Sequence, residues 1–427
     1  MERKVVITGL GVVSPLGIGK EVFWDGLSKG RSGIAPVTLF DPGDFPVKIA
    51  GEIDNFDPKQ FIQQRKSLKV MARDIQLAVA AAQLGVSDAG IDFETIDPTR
   101  LGTSLGTSLI SMSIDELSPS VQNSLDENAD FSIQKWGAEG MNMLFPLWML
   151  QYLPNMPACH ISIRYNTQGP NNTITSACAA STQAIGEAFK VIQRGDADMM
   201  IAGGTDSKVN PLNYLRYYFS KCLSVNNTRD PQKVSRPFDK ERDGFVIGEG
   251  AGIVILEEYE HAKKRGAKIY SELAGYGAAS DAAGVYGDNY NVNGLIYSMK
   301  NVLEDAECNH DDIDYISVNG LSTQIADKIE TEAIKNVFNE HAYSIPMSSI
   351  KSMIGHLGAS SGVVQLVAAA LSLENNIVLP TINYETKDSD CDLDYVPNTP
   401  REKECRSALL NSFGLGGQIA SLIIKKI

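Results

Sequence analysis

Residues 173–194 read TITSACAASTQAIGEAFKVIQR, and this stretch joins a β-branched run to an amphipathic helical pattern. Apolar residues recur at every fourth position from Ala184 to Ile192, and Gly195 supplies a stop after the last turn. A strand that leads through small residues into a helix is a common unit of layered α/β proteins. The stretch therefore predicts a strand–turn–helix whose turn carries Cys178.

Short apolar runs alternate with helical patterns along the rest of the chain, which indicates a fold of α/β layers. The predicted strands are Val5–Thr8, Met199–Ala202, Gly252–Glu257, Tyr315–Val318 and Ala420–Ile424. The predicted helices are Ser67–Leu84, Ala179–Arg194, Ile329–Val337 and Val363–Glu374. No linker divides the 427 residues, which favours two or three domains or one large duplicated unit.

Composition and charge exclude several classes of protein. The chain has 38 Lys and Arg against 52 Asp and Glu, a net charge of −14, and 43% of its residues are hydrophobic. Wholesale disorder is therefore excluded, and so is nucleic-acid binding, which needs a basic footprint. The six cysteines form no CxxC pair and the five histidines are scattered. This pattern disfavours a zinc site or a disulfide scaffold and predicts a reducing, cytoplasmic location.

Two apolar stretches resemble membrane or export signals but lack their physical features. The N-terminal MERKVVITGLGVV is short, is broken by glycines and has no small-residue cleavage site, so we predict a first buried strand. Residues 352–373 lack Lys, Arg, Asp and Glu but include three glycines, a histidine and several serines. We therefore predict a buried loop and a core helix there, and no membrane insertion.

An irregular segment and three glycine clusters are each compatible with more than one interpretation. Thr107–Pro157 is irregular and rich in methionine, and it either lines a cavity, covers one or makes a subunit contact. The glycine clusters near Gly9, Gly250 and Gly414 resemble nucleotide-binding loops only weakly, because Ser14 breaks the GxGxxG pattern. We expect tight turns or backbone hydrogen-bond donors at these glycines.

Three side chains are candidates for chemistry. A thiol at a helix N-terminus, as predicted for Cys178, lies near unpaired N–H groups and the positive end of the helix dipole, and both favour the thiolate. Lys351 and His356 lie in a turn rich in glycine and serine, where a ligand can approach closely. His356 is suited to donate to a developing oxyanion, with Lys351 orienting it. A buried structural cysteine, a capping histidine and a solvated lysine are the alternatives.

Five motifs together resemble the β-ketoacyl-acyl-carrier-protein synthases, especially the synthase II branch. They are VVITGLGVVSPLG (5–17), SACAAS (176–181), RPFDKERDGFVIGEGAG (236–252), SIKSMIGHLGASSG (349–362) and NSFGLGG (411–417). Their order and spacing agree along the whole chain. The resemblance implies a thiolase fold, in which two similar α/β halves stack as an α-β-α-β-α sandwich. We predict these halves at residues 1–257 and 258–427.

The resemblance also implies a reaction. An acyl group passes from the phosphopantetheine of an acyl carrier protein to the nucleophile Cys178, and the carbanion formed by decarboxylation of malonyl carrier protein attacks the new thioester. His356 is then one of two histidines that stabilise the enolate, and Lys351 is the supporting lysine. The backbone N–H of Cys178 and one from a C-terminal loop form the implied oxyanion hole. That loop comprises Phe413, Gly414, Leu415 and Gly416. The chain itself needs no cofactor, since the carrier brings the phosphopantetheine.

The chain departs from this family at the first histidine of the pair. The family pattern HGTxTxxGD reads NGLSTQIAD at residues 319–327, which places Asn319 at that position. An amide still donates a hydrogen bond but exchanges no proton near neutral pH. We therefore expect acylation to survive and decarboxylative condensation to suffer. Leu415 replaces a common phenylalanine, and Gln418 and Ile419 replace Thr-Asn, which indicates a reshaped acyl pocket or neutral drift.

A basic segment is the candidate surface for the carrier. Lys66, Lys69 and Arg73 follow an i, i+3, i+7 spacing that would place them on one helical face. The resemblance implies that Arg65, Lys66 and Lys69 bind the acidic carrier, and a solvated charged face is the alternative. For assembly, the resemblance implies a homodimer or a heterodimer with a second ketosynthase-like subunit.

Three functions remain open on the sequence. The chain is an elongating ketosynthase in fatty acid or polyketide assembly, a non-elongating acyltransferase, or a non-catalytic partner subunit that resembles a chain-length factor. Retention of Cys178, Lys351 and His356 disfavours the partner subunit, because such subunits usually lose the cysteine. The asparagine at 319 disfavours an ordinary elongating enzyme.

Overall fold

The computed structural model describes residues 3–284 and 290–427. The first part contains the strands β1 (Val5–Ser14), β2 (Gly17–Ile18), β3 (Ile34–Pro36), β4 (Ile49–Gly51), β5 (Leu101–Gly106), β6 (Asn171–Ile174), β7 (Met199–Ser207) and β8 (Glu249–Glu258). Its helices are α1 (Lys20–Ser28), α2 (Arg73–Ala89), α3 (Ile114–Gln122), α4 (Ile133–Ala138), α5 (Met156–Tyr165), α6 (Ala180–Gln193), α7 (Pro211–Phe219) and α8 (Tyr259–Lys264).

The second part repeats this alternation. Its strands are β9 (Ser271–Ser280), β10 (Tyr315–Ser317), β11 (Met347–Ser348), β12 (Ile377–Val378), β13 (Arg401–Glu402), β14 (Ser407–Phe413) and β15 (Gln418–Lys425). Its helices are α9 (Val292–Asp305), α10 (Gln324–Phe338), α11 (Lys351–Ile354) and α12 (Ser361–Asn375).

Two groups of strands share one topology. The order β6-β5-β7-β8-β1 matches the order β11-β10-β14-β15-β9. In each group the first two pairings are parallel and the last two are antiparallel. The groups join where β1 pairs with β9, with Val5 opposite Leu273. The chain is therefore a duplicated α/β unit, which is one of the two organisations that its length favoured.

Helices cover both faces of each group. Helices α2 and α5 lie on one outer side, α9 and α10 lie on the other, and α6 and α12 pack between the two groups of strands. Both inner helices bury apolar residues, and α12 is buried along almost its whole length, as its nearly uncharged sequence predicted. The five-layer α-β-α-β-α arrangement is thus confirmed. The division of the chain after residue 257 stays a prediction.

The clearest difference from the predicted elements is the start of α2. The predicted helix Ser67–Leu84 begins instead at Arg73, after a separate 3-10 turn at Ser67–Val70. Between them Met71 is extended, with φ −121°, and its side chain is buried. Arg73 forms an ion pair with Glu249. These tertiary contacts override the helical propensity of the segment.

Several glycines serve packing where we predicted turns. Gly9 and Gly11 lie inside β1, and a Cβ on Gly9 would lie 2.7 Å from the Cβ of Ala89 in α2. Gly252 lies inside β8 and leaves the same kind of space for α12. The prediction of a tight turn holds at Gly416–Gly417, where φ is 94° and 78°. The glycines near Gly9 and Gly250 therefore allow helices to pack directly on strands.

Within the described part of the chain, no helix combines the length and apolar character that a membrane crossing needs.

Candidate active site

Cys178 lies between β6 and α6. Ala177 has a φ of 51°, Ala177–Ala179 forms one 3-10 turn, and α6 begins at Ala180. A non-glycine residue at positive φ costs free energy, and such strain is concentrated at functional sites. The side chain of Cys178 is buried, with 7% of the residue exposed. The predicted strand–turn–helix is confirmed, with the thiol one turn ahead of the α-helix.

His356 reaches Cys178 from the other half of the fold. Its Nε2 lies 3.0 Å from the Sγ of Cys178, and its Nδ1 lies 3.3 Å from the Oγ of Ser361. Its backbone N–H donates to Val246 over 2.8 Å, and its carbonyl accepts from Gly248 over 2.9 Å. The motif before β8 therefore holds the loop that aims the imidazole at the thiol.

Burial controls the protonation of this pair. Desolvation raises the pKa of the Cys178 thiol to about 12, although the charge of Lys351 and the backbone N–H groups of Cys178 and Leu415 oppose this shift. Desolvation and the charge of Lys351 lower the pKa of His356 to about 3. The backbone N–H groups at the helix terminus thus favour the thiolate, but desolvation of the sulfur outweighs them. Near neutral pH the pair is a thiol and a neutral imidazole.

Lys351 and Asn319 form the second part of the site. The Nζ of Lys351 donates to the carbonyl of Asn319 over 2.5 Å and to its Oδ1 over 3.0 Å. Because lysine only donates, the amide oxygen must face it, which assigns the other amide atom as Nδ2. That Nδ2 is buried and has no hydrogen-bond partner among the described residues. A buried donor without a partner costs free energy, so this N–H is a candidate contact for substrate.

Glu330 supports this arrangement from α10. Its carboxylate accepts the backbone N–H groups of Asn319 and Gly320, each over 2.8 Å. Burial raises the pKa of Glu330 and, because it opposes positive charge, lowers that of Lys351. The carboxylate fixes the turn that presents the side chain of Asn319.

The loop between β14 and β15 closes against Cys178. A Cβ on Gly414 would lie 2.5 Å from its Sγ, so only glycine permits this approach. The backbone N–H of Leu415 is close enough to the sulfur to lower the pKa of Cys178. Phe413 is buried, whereas Leu415 and Gly416 are partly exposed. The structure thus brings the predicted loop to the thiol and singles out the N–H of Leu415.

The basic segment before α2 differs from the predicted helical face. Arg65, Lys66 and Lys69 are exposed. Arg73 does not join them, because its Nε and Nη2 bind the carboxylate of Glu249 over 2.7 and 2.6 Å. The prediction that Lys66, Lys69 and Arg73 share one helical face is therefore wrong, because the chain between them is not one continuous helix. Three exposed cations remain on an irregular segment.

Sequence reasoning missed three supporting residues. They are Glu330, Ser361 and Ser412, and the Oγ of Ser412 donates to the carbonyl of Cys178 over 2.9 Å. For Glu330 a signal was present, because it follows Asp327 at i, i+3 on a helical pattern. The two serines lie inside quoted motifs, but spacing alone does not indicate which serine points at the site.

Comparison with known protein families gives two matches. The model described as the β-ketoacyl synthase N-terminal domain matches residues 2–262, and the β-ketoacyl synthase C-terminal domain matches residues 270–385. The chain is also 38% identical over 426 residues to 3-oxoacyl-[acyl-carrier-protein] synthase 2 of Coxiella burnetii. That alignment covers 100% of this chain and 99% of the relative.

Two solved structures share the fold along their whole length. One is the ishigamide ketosynthase/chain length factor, with a TM-score of 0.89 and 31% identity. The other is a type II polyketide synthase acyl-carrier protein in complex with its ketosynthase bound to the hexaketide, with a TM-score of 0.85 and 32% identity. Each alignment covers 100% of both chains.

Proposed function

The chain belongs to the β-ketoacyl synthase family, and on that premise we propose that it takes an acyl group from an acyl carrier protein onto Cys178 and condenses it only weakly with malonyl carrier protein. The observation that carries the proposal is the 3.0 Å contact between Cys178 Sγ and His356 Nε2, in a site that has Asn319. The contact supplies a nucleophile and a proton acceptor. The asparagine leaves one proton-exchanging group where the family pattern has two.

Acylation requires the thiol proton to move. His356 Nε2 takes this proton as the sulfur of Cys178 attacks the carrier thioester, while Ser361 holds Nδ1. The imidazolium then returns the proton to the departing phosphopantetheine sulfur. One C–S bond forms at Cys178 and one breaks at the carrier, so atoms and charge balance. The N–H groups of Cys178 and Leu415 stabilise the oxyanion of the intermediate.

Condensation makes greater demands on the second part of the site. Cleavage of the malonyl carboxylate releases carbon dioxide and leaves an enolate, whose carbon attacks the thioester on Cys178. The C–S bond at Cys178 then breaks, the acyl group leaves on the carrier as a 3-oxoacyl thioester, and the released sulfur takes a proton from solvent. The free N–H of Asn319 Nδ2 is one donor available to the enolate oxygen. His356 Nε2 is a second one, in the tautomer that carries the imidazole proton on Nε2. Lys351 holds the amide oxygen, so that Nδ2 stays aimed at the substrate. A neutral amide is a weaker donor than a protonated imidazole, so this step is the slow one.

The proposal is tested by intact-mass analysis after incubation with acyl-loaded carriers of several chain lengths. We expect the wild-type protein to gain the mass of the acyl group and Cys178→Ala to gain none, with Cys391→Ala as the control for a second buried cysteine. Later addition of malonyl carrier should extend only a small fraction of the adduct. Absence of any adduct would favour the non-catalytic subunit, and rapid extension would favour an ordinary elongating ketosynthase.

Carrier binding is the next proposal, at the exposed cations Arg65, Lys66 and Lys69. Reversing two charges, in Lys66→Glu with Lys69→Glu, should raise the KM for the carrier about tenfold at low salt, because opposite charges steer association and salt screens them. The control is Lys263→Glu with Lys264→Glu, which changes the net charge equally on α8. Equal effects of the two double variants in steady-state kinetics would argue against this docking surface.

We also propose that the protein binds a second subunit and that it is cytoplasmic. Exposed apolar side chains are frequent between residues 107 and 157, with Leu109, Ile133, Met141 and Met149 each 50–63% exposed. Large exposed apolar surfaces mark contacts between proteins. We propose that this segment contacts a second subunit, in a homodimer or a heterodimer with a related chain. The six free cysteines support a cytoplasmic location.

A further inference from the structure

Asn411 lies in β14 one residue before Ser412, whose hydroxyl binds the carbonyl of Cys178. Neighbouring residues of a strand point to opposite faces of its sheet, so the side chain of Asn411 points away from the thiol. It is completely buried, with 0% of the residue exposed, and it contacts Glu330 of α10. The strand therefore lies between Cys178 and the carboxylate that supports Asn319, and it contacts both.

Hydrogen bonds on both sides fix the amide of Asn411. Its Nδ2 donates to Glu330 Oε1 over 3.3 Å, and because a carboxylate only accepts, this contact assigns the nitrogen to that side. Its Oδ1 accepts the hydroxyl of Ser421 over 3.0 Å, and Ser421 Oγ lies 2.9 Å from Ser298 Oγ in α9. Both serines are also completely buried. Rotation of the amide would leave buried polar atoms without partners, so its orientation is held.

Glu330 transmits this constraint to Asn319. Its Oε1 accepts the backbone N–H of Asn319 as well as the Asn411 amide, and its Oε2 accepts the N–H of Gly320. Lys351 holds the amide oxygen of Asn319. The carboxylate and the lysine together therefore set the direction of the free N–H on Asn319 Nδ2. Such a direction matters for rate, since a misplacement of about 1 Å can cost about 10²-fold.

We propose, on the basis of the function proposed above, that Asn411 is a positioning residue for decarboxylation of the malonyl group. Its amide holds Glu330, Glu330 holds the turn at residues 319 and 320, and the turn aims Asn319 Nδ2 at the enolate oxygen. Acylation of Cys178 uses the N–H groups of Cys178 and Leu415 instead. Loss of the Asn411 amide therefore slows decarboxylation and spares acylation.

The test replaces Asn411 by leucine, which has nearly the shape of asparagine but no hydrogen-bonding atoms. Release of carbon dioxide from malonyl carrier should fall about tenfold, as expected when a carboxylate loses one of its donors. Single-turnover acylation of Cys178, followed by intact mass, should stay within about twofold of the wild type. Both rates are measured in the wild type and in Asn319→His, whose faster release of carbon dioxide widens the range of the assay.

A double-mutant cycle shows whether Asn411 acts through residue 319. In Asn319→Ala, the further change Asn411→Leu should alter decarboxylation by less than about twofold, because no side-chain donor remains to be aimed. Ser421→Ala, which frees Asn411 Oδ1, should lower decarboxylation about threefold and is the deciding variant if Asn411→Leu does not fold. The control is Ser271→Ala, which removes another buried side-chain oxygen, in β9, and should leave both rates unchanged.

The outcomes separate this role from the proposed function. A loss in acylation as large as the loss in decarboxylation would overturn the positioning role, because Asn411 would then support the whole site. A full loss that persists in Asn319→Ala would overturn it as well, since Asn411 would then act by another route. Wild-type decarboxylation in Asn411→Leu and Ser421→Ala would remove this role and leave the proposed function standing. Absence of an acyl adduct on Cys178, or of carbon dioxide release from both the wild type and Asn319→His, would overturn the proposed function and the inference together.

Discussion

Asn319→His should raise the rate of malonyl-carrier decarboxylation by up to about 10²-fold, which is the lower end of the effect of one oxyanion donor. A neutral imidazole can repeat both contacts of the amide, since one nitrogen accepts from Lys351 and the other donates to the enolate. Unlike the amide, it can also carry a proton, which strengthens the donor. The variant thus restores the group that the family pattern places there.

The measurement is carbon dioxide release from malonyl carrier, with Asn336→His as the control at an exposed position of α10. Asn319→Ala supplies the opposite test, since it removes the only donor at this position and should lower the rate below that of the wild type. If Asn319→His leaves the rate unchanged, residue 319 does not limit condensation. If Asn319→Ala also has no effect, the amide makes no contact with the enolate.

His356→Gln should lower the rate of Cys178 acylation by about 10²–10⁴-fold, the usual contribution of a general base. Glutamine retains hydrogen-bonding atoms but takes no proton, and the buried thiol with its pKa of about 12 then has no acceptor. The control is His310→Gln, which changes a partly exposed histidine away from the site. A loss of less than about tenfold would show that the thiol proton leaves by another route.

The same pair predicts the pH profile of acylation. The reaction needs a neutral His356 and a protonated thiol, and these forms predominate between the two pKa values of about 3 and about 12. Single-turnover acylation should therefore be nearly flat from about pH 5 to about pH 8. A pre-formed thiolate with an ordinary pKa would instead give a rate that falls about tenfold per pH unit on acidification in this range. That slope would contradict the proton transfer to His356.

Much of the fold followed from local pattern. The stretch around Cys178 contains the β-branched run, the small-residue turn and the amphipathic helix that become β6, the 3-10 turn and α6. Periodicity succeeds there because the burial of each face repeats with the period of its element. It fails at Met71 and Arg73, where a buried methionine and an ion pair set the start of α2. It also assigned turns to glycines such as Gly9, whose role is to admit a packed helix.

The sequence alone determined which residues of this chain are available for chemistry: a cysteine before a helix, one histidine where the family pattern has two, and an asparagine at 319. Only the tertiary structure decided their state. Desolvation of Cys178 exceeds the effect of the helix terminus, which makes a proton acceptor at His356 necessary. The contacts that leave an N–H free at Asn319 join residues distant in the chain. Burial and the balance of such contacts are properties of the packed chain, and no local pattern encodes them.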